Sequence, residues 1–99
     1  MAESWMGKSI GIFEFDNMVA CLVAMDAAAK AAEITVQGVE RNRLKAGACV
    51  KIRGSVSDVR AAMEAALTAG AKYGTLTGKH VIPAPSEDTE IAMQATIYK

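Results

Sequence analysis

The most concentrated chemistry in this 99-residue chain is positive charge. Arg41, Arg43 and Lys45 recur at i, i+2 and i+4 inside the polar stretch 41–47, which reads Arg41, Asn42, Arg43, Leu44, Lys45, Ala46, Gly47. On an extended chain that spacing sends three cationic side chains to one side. Two readings are open: an exposed hairpin tip charged for solubility, or a tip lining the axis of a closed ring, where repeated charge focuses potential on a narrow opening. Other reactive residues are sparse. His80 is the one histidine and has no partner at recognisable spacing. Glu14, Asp16, Asp26 and Glu33 lack the spacing of metal ligands. The glycines never group into GxGxxG or GxxxxGK[ST], so no phosphate cradle is present. Cys21 and Cys49 are too few and too far apart for an iron–sulfur cluster within one chain. A symmetric ring contributing one Cys49 per subunit is the redox alternative. The expectation is no catalytic residue, no metal and no resident cofactor.

The elements that must position the basic stretch follow from periodicity. Residues 9–15 (SIGIFEF) have strand composition, and residues 17–32, opened by Asp16 or Asn17, read as a helix with Met18, Leu22, Met25 and Ala29 on one face. Residues 34–39 alternate as a half-buried strand, and 48–53 resume strand character beyond the basic stretch. Ser55 or Ser57 opens a second helix over 56–72, striped by Val59, Met63, Ala66 and Leu67, with Gly74 just past its end. Residues 75–82 form a fourth strand, stopped by Pro83 and Pro85. The order β-α-β-β-α-β predicts an α/β (α+β) domain, in which two helices pack on one face of a four-stranded, mainly antiparallel sheet. The tail, 86–99, offers a short helix over 87–93 and an added strand over 95–98.

Composition narrows the function. Eleven basic and eleven acidic residues leave no net charge, which argues against coating nucleic acid or an anionic membrane. No run approaches the ~18 apolar residues of a membrane span, and no secretory signal is visible at the N-terminus. Two cysteines without CxxC spacing, accompanied by six methionines, fit a reducing, cytoplasmic compartment. Nineteen alanines against five aromatics build helices that approach closely but supply little burial per residue, so burial completed against copies of the same chain is expected.

Six segments carry a resemblance. Ile10-Gly11-Ile12-Phe13-Glu14 is similar to LGMIE, Asp26-Ala27-Ala28-Ala29-Lys30-Ala31-Ala32 to DAMVKAA, and Gly38-Val39-Glu40-Arg41 to GYEK. Val50-Lys51-Ile52-Arg53-Gly54 is similar to VIVRGDV, Val59-Arg60-Ala61-Ala62 to VKAA, and His80-Val81-Ile82-Pro83 matches HVIP. In this order they resemble the single-domain, hexamer-forming shell proteins of bacterial microcompartments (the BMC-H class). The resemblance covers residues 9–85, with 1–8 and 86–99 as extensions. It implies a non-enzymatic shell protein in the cytoplasm: a cyclic homohexamer that tiles with other shell proteins and passes small metabolites through a central pore. Residues 41–47 fall on the pore hairpin, and Lys30, Glu33 and Ala84 on the hexamer edge. Three departures stand out. The hairpin is basic and one residue longer than the usual KIGSG. Ala84 replaces a customary arginine, and Glu33 an asparagine. A positive pore favouring anions is the expected consequence. A metabolite- or nucleotide-binding regulatory oligomer of the same element order is the competing class.

Overall fold

In the first strand, β1 (Ser9–Phe15), side chains alternate across the sheet, so Phe13 and Phe15 share one face while Ile12 and Glu14 take the other. The computed structural model describes Trp5 and residues 7–42 and 46–95. Beyond β1 come α1 (Met18–Ala31), β2 (Thr35–Arg41), β3 (Ala48–Gly54), α2 (Val56–Gly70), β4 (Leu76–Ile82) and α3 (Glu87–Ala95). The strands form one sheet in the order β2-β3-β1-β4, and every neighbouring pair is antiparallel. The predicted α/β order is therefore observed. The third helix extends the one expected over 87–93 and makes Ala95 helical rather than the start of a strand; residues 96–98 lie outside the described residues.

Both main helices begin where capping chemistry places them. Asn17 Oδ1 accepts from the Ala20 amide at 2.9 Å, and Ser55 Oγ accepts from the Asp58 amide at 3.2 Å, each supplying an acceptor to an otherwise orphaned amide. Asp16 ties the start of α1 to the end of α2. Its Oδ1 accepts from the Thr75 amide (2.9 Å) and from Asn17 Nδ2 (3.0 Å), while Asn17 Nδ2 also reaches the Tyr73 carbonyl (3.1 Å). The Thr75 amide is the larger reason that the Asp16 carboxyl is held below its ordinary range.

The core lies between the sheet and the α1–α2 layer. It contains Phe13, Phe15, Val50 and Ile52 from the strands, Ala20, Cys21, Ala24 and Ala28 from α1, and Val59, Ala62, Met63 and Ala66 from α2. The expected stripe on α2 is observed, although Leu67 is only partly buried. The stripe on α1 is a correction. Leu22 is 47% exposed, Ala29 is exposed, and Met18 and Met25 are only partly buried. The alanines and Cys21 face inward because their small side chains let α1 lie close to both sheet and α2; size was a poor guide to burial there. Val19 and Leu22 are left on the surface, with Tyr73 and Leu76 also exposed.

Candidate functional site

Strand pairing fixes where the two groups of candidate residues lie. Ser9 pairs with Gly54 and Thr35 with Arg53, and Ser9 Oγ donates to the Pro83 carbonyl at 2.8 Å. One end of the sheet thus collects the start of β1, the start of β2, the end of β3 and the exit from β4. Glu33, whose carbonyl lies near Gly54, and Ala84 both belong to this end and both are exposed. Lys30 sits in the last turn of α1, which leads into it. At the opposite end, Arg41 pairs with Ala48, and Phe15 pairs with both Ala48 and Leu76. The end of β2 and the start of β3 meet there. Seven residues of strand, roughly 23 Å, separate the two ends.

The hairpin root is well braced. Asn42 donates its amide to the Gly47 carbonyl at 2.9 Å and its Nδ2 to Glu14 Oε2 at 3.0 Å. Thr77 Oγ1 donates to the other Glu14 oxygen at 2.9 Å, so a single carboxylate links β4, β1 and the hairpin. Lys51 Nζ bonds Glu40 Oε1 at 3.1 Å, with the lysine side chain only 6% exposed. Arg41 and Ala46 are exposed and Gly47 is buried. Arg41 shares its parity with Ala48 and so lies on the α1–α2 side of the sheet. Arg43, Leu44 and Lys45 lie outside the described residues, so the expected common direction of the three basic side chains falls outside them too. Glu14 brings one carboxylate to the root of this basic segment, whereas the charge of Glu40 is answered by Lys51.

At the other end Lys30 Nζ contacts Asp26 Oδ2 at 2.8 Å, an exposed i,i+4 pair whose hydrogen bond raises the lysine pKa. The pairing lays the Lys30 stem along the outer surface of α1.

Cys21 is buried and directs Sγ to the Ala48 carbonyl at 3.3 Å. Cys49 is half-buried, and burial pushes its thiol up, only partly offset by Lys51. A thiolate ligand needs the opposite shift. Among the described residues no three His, Cys, Asp or Glu side chains are grouped to hold a metal. His80 is exposed on β4. No helix among the described residues is long and apolar enough to cross a membrane.

Two features escape sequence reading. The Glu14 bridge joins residues 28 and 63 positions apart, visible only once the strand register is known. Arg53, read as an ordinary strand end, is completely buried.

Comparison with known proteins agrees with this architecture. Residues 9–85 match the family described as "BMC domain". The chain is 36% identical over 84 residues to the bacterial microcompartment shell protein EutM of Salmonella typhimurium, covering 84% of this chain and 85% of that one. It is 33% identical over 90 residues to the carboxysome shell protein CcmK3 of Halothece sp., covering 89% and 87% respectively. A crystal structure of a microcompartment protein from Desulfitobacterium hafniense DCB superposes with a TM-score of 0.80 at 24% identity; it covers 92% of this chain, which spans about half (51%) of that one. The chain belongs to the BMC-domain family and is a bacterial microcompartment shell protein.

Proposed function

We propose that this shell protein assembles as a cyclic homohexamer whose 41–47 hairpins converge on a central pore and favour the passage of small anionic metabolites. The observation that carries this reading is the separation of the two groups along the strands. Arg41, Asn42 and Gly47, which flank the basic segment, lie at one end of the sheet, while Lys30, Glu33 and Ala84 lie at the other. A subunit built this way meets an axis with its hairpin and neighbouring rings with its far end. Exposed Val19, Leu22, Tyr73 and Leu76 are apolar surface suited to burial between subunits. Neutral overall charge and the similarity to shell proteins support a barrier component over a nucleic-acid binder. Its partners are copies of itself, other shell proteins and the metabolites that cross.

In such a ring the basic groups of neighbouring hairpins act jointly on a solute that passes within the ~8 Å screening length at physiological salt. Anion preference across wild-type shells or reconstituted layers should therefore exceed that of Arg43→Ala and Lys45→Ala. Flux or anion-binding measurements check this, and equal preference in all three proteins would remove the hairpin from control of passage.

Lys30 has a separate role in this reading. Its long stem lies at the ring edge and donates to a neighbouring ring. Lys30→Ala is expected to leave hexamers intact and weaken sheet formation, scored by sizing and electron microscopy. Loss of the hexamer itself would place Lys30 at the subunit interface instead.

A further inference from the structure

The sheet face opposite α1 and α2 holds a charge that the pore reading does not use. Arg53 is 1% exposed. Its Nη1 donates to Gln37 Oε1 at 3.1 Å and Glu90 Oε1 at 2.8 Å; its Nη2 donates to Glu90 Oε2 and to the carbonyls of Trp5 (3.3 Å) and Lys8 (3.1 Å). The Trp5 ring lies over the guanidinium, 5.4 Å from Cζ to centroid. One side chain thus gathers the segment before β1, the β2 bulge at Gln37 and the C-terminal helix.

We propose that Arg53 couples two parts of the sheet's outer face, so that Trp5 and Lys8 on one side and α3 on the other dock on this face and release from it together, as a single clamp. α3 contributes nothing to the main core. Its inward anchors are Glu90 and Met93, while Ile91 is 63% exposed and Glu87 and Asp88 face solvent. Among the described residues Glu90 is the carboxylate paired with Arg53. Lifting α3 would leave a buried cation without its counter-charge, a strongly unfavourable state. Arg53 escapes that state by swinging toward water. The swing takes it out from under Trp5 and breaks its bonds to the Trp5 and Lys8 carbonyls. The converse also holds, because displacing Trp5 admits water to the guanidinium and weakens its attraction to Glu90.

Two further observations suit an arrangement that opens. Among the described residues Arg53 Nε and Gln37 Nε2 are buried without a hydrogen-bond partner, so the network there is incompletely satisfied. A cavity of about 130 Å³, lined by Trp5, Lys8, Ile34, Thr35 and Arg53 among others, adjoins the guanidinium and gives water a place to enter. Coupling of this kind is reciprocal, so an event on either side is felt on the other.

Trp5 is the one tryptophan, which makes its fluorescence a reporter for the N-terminal half of the clamp. Amide hydrogen exchange reports both halves: the Lys8 amide donates to the Trp5 carbonyl, and the Glu90 amide, in the first turn of α3, donates to the Ser86 carbonyl just before the helix. In the full-length assembled protein, Glu90→Ala should raise acrylamide quenching of Trp5. It should also speed exchange at Lys8 and throughout α3, each by about tenfold or more, the scale of one charge-assisted hydrogen bond. β1 and β3 amides should keep their protection. Glu90→Gln, which preserves shape, should act in the same direction to a smaller extent. Trp5→Leu should speed exchange in α3 as well, because Arg53 lies between the two. Release of α3 with unchanged Trp5 quenching and Lys8 exchange, or an α3 indifferent to Trp5→Leu, would overturn the coupling.

Discussion

Gly47→Ala is expected to lower the thermal unfolding midpoint by roughly 10 °C or more, on the scale of an overpacking penalty of about 2–3 kcal/mol in a domain of this size. A Cβ at this position would lie 1.8 Å from the Phe15 carbonyl oxygen and 2.9 Å from its carbon. These are backbone atoms of the central strand, so no rotamer change relieves the overlap. The start of β3 must move instead, and the Phe15–Ala48 pairing with it. The Asn42–Gly47 hydrogen bond closes the hairpin at its root, so the displacement reaches the 41–47 segment and should disturb solute passage as well as stability. Gly78→Ala provides the control. A Cβ there meets nothing within 4 Å, and the change should stay within about 0.5 kcal/mol. Equal melting of the two variants by scanning calorimetry would contradict the close approach at Gly47.

The second large effect is expected at Phe15. Its side chain is wholly buried, meets Phe13 edge-to-face at 6.2 Å and 72°, and fills the space beneath Gly70, where a Cβ would come within 2.3 Å of the ring. Phe15→Ala removes that ring from a core otherwise rich in alanine, which has few large side chains able to collapse into the void. A loss of about 3–5 kcal/mol follows, a large share of the ~5–15 kcal/mol that stabilises an ordinary domain. Phe15→Leu should lose less than half as much. Urea unfolding at one fixed protein concentration measures this, since assembly adds stability that varies with concentration. A Phe15→Ala midpoint close to wild type would show that the ring is not central to the core.

How far the sequence foretold this arrangement differs from element to element. The strand composition of residues 9–15, the caps at Asn17 and Ser55 and the apolar stripe of α2 are local signals, and the structure follows them. The buried face of α1 was misread because Ala20, Ala24 and Ala28 are inward for their smallness, while Leu22 is left outward on a surface that the isolated chain does not bury. The strand order β2-β3-β1-β4 places the hairpin and the Lys30 end apart, and that order depends on long-range pairing rather than on any local pattern. Arg53 was the least legible residue. A lone arginine at a strand end looks solvated until Trp5, Gln37 and Glu90 are brought around it from three distant parts of the chain.

Burial points the same way as the family relationship. Val19, Leu22 and Tyr73 remain exposed, as does most of β4, in a chain with only five aromatics. Assembly offers a place for that surface, and the proposed ring is the form of assembly to test. Native mass spectrometry, with light scattering across a wide concentration range, tests this most directly. The account predicts one dominant species of six times the 10.4 kDa chain mass. A protein that stays monomeric at every concentration would contradict it.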